Sequence, residues 1–110
     1  MVLTINDDKY FENPTEETIR EALAELVVDE FAILSRADEH YIQAYYNEAE
    51  TFTLEYRDGS YEKHYAATPE PETCVEIQEV FVAFLNNPTT WHEGKEWKKV
   101  DFDEDFEGDA

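Results

Sequence analysis

Phe52-Thr53-Leu54-Glu55-Tyr56-Arg57-Asp58-Gly59-Ser60-Tyr61 alternates apolar and polar side chains and then meets Asp-Gly. Alternation at period two marks a strand with one buried face, and Asp-Gly readily supplies the positive φ of a two-residue type I′ turn. With Arg57 and Ser60 flanking the turn, Tyr56 is expected opposite Tyr61, Phe52 opposite Tyr65 and Glu55 opposite Glu62. A three-residue loop would pair Glu55 with Lys63 instead. The first register keeps the aromatic side chains together on the face to be buried, where each large side chain is worth about 1.5–3 kcal/mol. The opposed acids cost up to about 1 kcal/mol, so packing outweighs charge.

Working outward, β-branched and aromatic residues also fill 31–35, 40–46 and 61–66, with Ala37-Asp38-Glu39 and Asn47-Glu48-Ala49-Glu50 short enough to be hairpin loops. The result is an antiparallel meander, to which 2–5 and 97–102 add possible outer strands, while Tyr10 and Phe11 stay ambiguous. Before the meander, Asn13-Pro14-Thr15-Glu16 reads as a helix start, with Asn13 as the cap and Pro14 in the first turn. Ile19, Ala22, Leu23 and Leu26 then form one apolar stripe, predicting a helix from about Pro14 to about Val28. After the meander, Thr68-Pro69-Glu70-Pro71-Glu72 predicts an extended, stiff linker. Thr73-Cys74-Val75-Glu76 is a capping box for a second helix, striped by Ile77, Val80, Phe81, Phe84 and Leu85 and stopped at Asn86-Asn87-Pro88. The order predicts an α+β domain over 1–102, an antiparallel meander of four to five strands with two helices on one face. Residues 103–110 read as an exposed acidic tail.

Charge sets the function classes. The 28 acids and 8 bases give a formal charge of −20 on 110 residues. A field of that sign attracts cationic partners and repels nucleic acid and anionic membrane. The 42% hydrophobic content with 15% aromatic residues separates the chain from disordered acidic segments. No apolar run or basic leader predicts a span or signal peptide, and the lone Cys74 suits a reducing, cytoplasmic setting.

Two features place acids where local stability would prefer something else. Glu17, Glu21, Glu25 and Asp29 recur every four residues, a spacing at which like charges destabilise a helix by a few tenths of a kcal/mol per pair. Glu55 and Glu62, opposed across the hairpin, share the open sheet face with Thr53, Arg57, His64 and one parity of the strand carrying Tyr41 and Tyr45. Aromatic side chains among acids make a protein-binding surface. The alternatives are a solvated helix face and tyrosines that merely cover the sheet.

Chemical motifs fail on inspection. His92-Glu93 opens like a zincin helix, but position 96 is Glu96. Asp103, Asp105, Glu107 and Gly108 match the opening of a calcium loop without its later ligands. Cys74, in the first turn of the second helix with His64 upstream, is the best candidate nucleophile, although Glu70, Glu72 and Glu76 oppose a lowered thiol pKa and a small buried Cys explains it better. There is no phosphate-binding glycine loop, and no basic stripe beyond Lys95, Lys98 and Lys99. No cofactor and no metal are called for.

The stretch 52–60, then His64-Tyr65, an amphipathic helix and a tryptophan, resembles a pattern in small acidic bacterial α+β proteins, and more loosely the immunity proteins of polymorphic toxin systems. The resemblance implies a small bacterial binding protein and brings no site residue with it. The expectation is a non-enzymatic module, an immunity-type inhibitor or adaptor for a basic protein, monomeric or weakly dimeric. A DNA mimic is one version of it. The alternatives are a small-ligand domain or small enzyme with a pocket near Cys74 and His64, and a homodimeric domain.

Overall fold

A computed structural model describes residues 1–87 and 89–100, without the Tyr61 side chain. Pro88, Phe102 and the acidic segment 103–110, with its calcium-loop-like acids, lie outside the described residues. The order is β1 (Val2–Ile5), β2 (Lys9–Glu12), α1 (Glu16–Ala24), β3 (Phe31–Ala37), β4 (His40–Tyr46), β5 (Phe52–Asp58), a 3₁₀ turn (Tyr61–Lys63), β6 (His64–Ala67), α2 (Cys74–Asn86) and β7 (Trp97–Lys99). The fold is α+β, with one antiparallel sheet in the order β2-β1-β3-β4-β5-β6-β7.

Seven strands stand where four to five were expected. The β1–β2 hairpin, ambiguous in sequence, closes because Asn6 and Asp7 both adopt positive φ (54° and 64°), and Asp8 N–H reaches Ile5 O at 3.1 Å. Asn and Asp tolerate that region better than other non-glycine residues. The Asn6 side chain also accepts from Phe31 N–H at 2.9 Å, tying the hairpin to the start of β3.

Alternate residues of the strands make the core. Leu3, Leu34 and Ile42 lie in adjacent registered positions on one sheet face, which Leu54, opposite Ala44, shares, and Ile19, Leu23, Ile77 and Phe81 of the helices join them, all essentially inaccessible. The helices are also joined to each other, since Gln78 Nε2 donates to Arg20 O at 2.7 Å and Arg20 bridges Glu16 and Glu79 at 3.3 and 3.0 Å. At the far end Tyr56 stacks on Tyr65 at 5.0 Å, with Trp91 and Trp97 edge-on at 4.8 and 4.7 Å.

The expected β5–β6 register is overturned. The pairs are Glu55 with Ala66, Tyr56 with Tyr65 and Arg57 with His64. Glu55 therefore does not oppose Glu62, which lies exposed in the 3₁₀ turn. Gly59 does take positive φ (104°), but its N–H docks on Glu39 O at 2.7 Å across the neighbouring hairpin, and the turn at Tyr61–Lys63 lengthens the connection. The slip is four residues, an even number, so Tyr56 and Tyr65 keep the face expected of them.

The first helix also starts later and ends sooner. Asn13 has φ 50°, outside the extended region a cap requires, and holds Met1 through its backbone instead. Thr15 is the cap, accepting from Thr18 N–H at 3.2 Å. The helix stops at Ala24, and Asp29, at φ 76°, sits in the connection to β3 rather than on the helix. In α2 the Thr73 cap is as expected, accepting from Glu76 N–H at 3.3 Å, while the Glu76 carboxylate reaches back to Glu72 N–H at 2.8 Å.

Two stability outcomes follow. Thr15→Ala costs about 1 kcal/mol in urea unfolding, whereas Asn13→Gly, at a positive φ, costs a few tenths at most. Phe81→Ala costs about 3–5 kcal/mol.

Candidate functional site

The β1–β2 hairpin carries Ile5 and Phe11 on the face toward α1, and α1 answers with Thr18, Glu21, Ala22 and Glu25, the i, i+3, i+4, i+7 face of the helix. Between them lies a groove of about 490 Å³, in the size range of small-molecule sites. Ile5, Phe11, Ala22 and Leu26 supply its apolar surface, and Asp8, Glu21, Glu25 and Glu30 face Lys9 as its charges. Four carboxylates against one ammonium leave it strongly acidic.

The helix terminus adds to that potential. Glu21 lies near the C-terminal end of α1 and Glu25 is its C-cap, with no basic residue in the last turn. That end of a helix carries partial negative charge, and an acid there is unfavourable by about 0.3–1 kcal/mol. Of the four acids, Glu30 is engaged, accepting from Val27 N–H at 3.0 Å.

The remaining residues singled out from sequence fall elsewhere. Glu17 is exposed on α1 outside the groove. Asp29 accepts from the Tyr45 hydroxyl at 2.7 Å, a bond that pushes the Tyr45 pKa up, so these two form a local pair at the end of β4. Tyr41 and Glu55 belong to a cluster on the sheet face away from the helices. There Arg57 lies over the Tyr41 ring at 5.6 Å, and its Nη1 donates to Glu39 Oε2 at 2.8 Å. Arg57 Nε donates to His64 Nδ1 at 3.2 Å, and His64 Nε2 lies 2.7 Å from Glu55 Oε1. A guanidinium can only donate, so Nδ1 accepts, and the proton sits on Nε2 and is given to Glu55. His64 is 2% exposed, so this part of the face is a buried polar cluster rather than an open surface.

Cys74 and His64 do not share a pocket. Cys74 packs between the helices, its thiol 3.4 Å from Leu23 O, and burial raises its pKa. His64 points to the opposite face of the sheet. Among the described residues no group of three His, Cys, Asp or Glu could hold a metal ion, and no helix is long and apolar enough to cross a membrane. The groove itself was hidden in sequence, since Asp8 and Glu30 carry no motif and join Glu21 and Glu25 through the hairpin and the turn after α1. The chain matches no family model, no curated protein and no solved structure at the significance required of a match.

With its pKa raised, Cys74 reacts with a disulfide reagent at pH 7.5 at least several-fold more slowly in the folded chain than in urea. Tyr56, pushed up to about 12 by burial, gives a second outcome. Its folded pKa exceeds the unfolded value of about 10, so the stability it contributes is complete below pH 10 and falls as the pH rises toward 12. Urea midpoints measured from pH 9 to 11.5 check the decline, and Tyr56→Phe flattens it.

Proposed function

We propose that this chain is a binding module for a basic protein, as an immunity-type inhibitor or adaptor would be, and that it engages its partner through the groove between α1 and the β1–β2 hairpin. The observation that carries the reading is the composition of that groove: apolar side chains for the stem of a Lys or Arg, and carboxylates for its head. Long basic side chains suit such a lining, because the methylenes and the charge have separate demands. Glu21 and Glu25 sit where the helix terminus disfavours them, so helix stability does not account for their presence. The formal charge of −20 extends the attraction beyond contact and speeds encounter at low salt.

A Lys/Arg-rich peptide containing one aliphatic anchor tests this by amide chemical shifts on the full chain. Saturable shifts are expected at Asp8, Thr18, Glu21 and Glu25, with affinity falling steeply between 50 and 500 mM salt. The double variant Glu21→Gln/Glu25→Gln weakens binding about tenfold or more, while Glu62→Gln, at an exposed turn, changes it less than twofold. Shifts spread evenly over all exposed acids, with no loss in the double variant, would sink the reading.

A further inference from the structure

At the far end of the sheet from the acidic groove, the tip of the β3–β4 hairpin, the end of β5 and the connection from α2 to β7 enclose a cavity of about 200 Å³. It inverts the character of the rest of the surface. Arg36, Arg57, His40 and His92 are among its lining residues, with the hydroxyl-bearing Tyr56 and Thr89, and Asp58 is the carboxylate that lines it among the described residues. We propose that this cavity is a site for a small tetrahedral oxyanion of the phosphate type, distinct from the acidic groove and independent of the reading given for it.

Unpaired ring nitrogens point to a ligand. His40 Nδ1 and His92 Nδ1 are both buried without a hydrogen-bond partner, and buried polar atoms in folded proteins are almost always paired. Asp58 Oδ1 lies 3.4 Å from His40 Nδ1 without the alignment of a hydrogen bond, so it does not satisfy that atom. Burial keeps the Tyr56 phenol protonated, leaving it a donor. A metal ion is the wrong occupant, since His40, His92 and Asp58 do not converge as ligands. An oxyanion can accept from imidazole, hydroxyl and guanidinium donors at once.

The site is also held in place. Trp97 Nε1 donates to His92 O at 2.9 Å, and Thr90 and Trp91 N–H both return to Asn87 O, at 3.2 and 2.9 Å. The His92 ring packs 5.8 Å from Tyr56 and 5.6 Å from Trp91. Arg36 lies 5.9 Å from the Phe84 ring centroid, and both line the cavity, whereas the Arg57 side chain is turned to His64 and Glu39 on the other face of the sheet.

The test titrates the full chain with sodium phosphate against sodium chloride at matched ionic strength, following amide and indole resonances. A parallel arm uses O-phosphoserine. Saturable shifts specific to phosphate are expected at Thr89, Trp91 and His92. His92→Phe, which retains the ring contacts and removes the donor, weakens binding about tenfold. Glu21→Gln, in the acidic groove, leaves it unchanged. Phosphoserine binding tenfold tighter than phosphate identifies a phosphoryl group on a larger ligand, and equal affinity identifies the free anion. If the chain answers phosphate as it answers chloride, water alone serves the two histidines and the proposal fails.

Discussion

Two short helices cannot cover seven strands, and most of the architecture follows from that shortfall. Adjacent strands stand about 4.8 Å apart, so the sheet is about 29 Å wide, whereas two helices side by side span about 20 Å. Where α1 and α2 lie on the sheet, the core is continuous from Leu3 through Leu34 and Ile42 to Leu54. Toward β2 the cover thins, leaving Ile5 and Phe11 beside the acids of α1 in an open groove. Toward β6 and β7 aromatic side chains substitute for a third helix, with Trp91 and Trp97 closing edge-on over Tyr56. The acidic groove and the cavity beside His92 thus lie where helical cover runs out.

The face away from the helices solves a different problem. A histidine as inaccessible as His64 needs both ring nitrogens satisfied, and β5 supplies a donor and an acceptor from the same side, Arg57 and Glu55. That arrangement requires Arg57 directly opposite His64, so the polar cluster and the Tyr56–Tyr65 stack select one register together. A satisfied polar cluster penalises slippage more sharply than apolar packing does, because every displaced partner leaves a buried group unpaired.

The strands that alternate cleanly and the helix with a Thr-x-x-Glu cap were legible in sequence, because their signals are local. Phe52–Asp58 and α2 are of this kind. Lys9–Glu12 was not, since four residues with Tyr10 outward and Phe11 partly buried give too little pattern, and its pairing depends on two positive φ angles at Asn6 and Asp7. Asn13 beside Pro14 looked like a cap, yet the chain uses it to close the first hairpin and hands the capping role to Thr15. The hairpin after β5 misled for a tertiary reason. Asp58-Gly59 alone favours a tight turn, but Gly59 is drawn to Glu39 and His64 to Arg57, contacts that no local window contains. Of the acids picked out, Glu21 and Glu25 reached a common groove, while Glu17, Asp29, Glu55 and Glu62 dispersed.

Charge is sorted along the sheet. Residues 7–30 carry nine acids against two cations, whereas residues 31–100 carry thirteen acids against six cations, Arg36, Arg57, Lys63, Lys95, Lys98 and Lys99, together with all three histidines. In a cell-like electrolyte the Debye length is about 8 Å, far shorter than the sheet is wide. A molecule drawing near is therefore screened from the summed charge and responds to whichever end it meets, so the protein behaves at close range as two surfaces of different electrical temper.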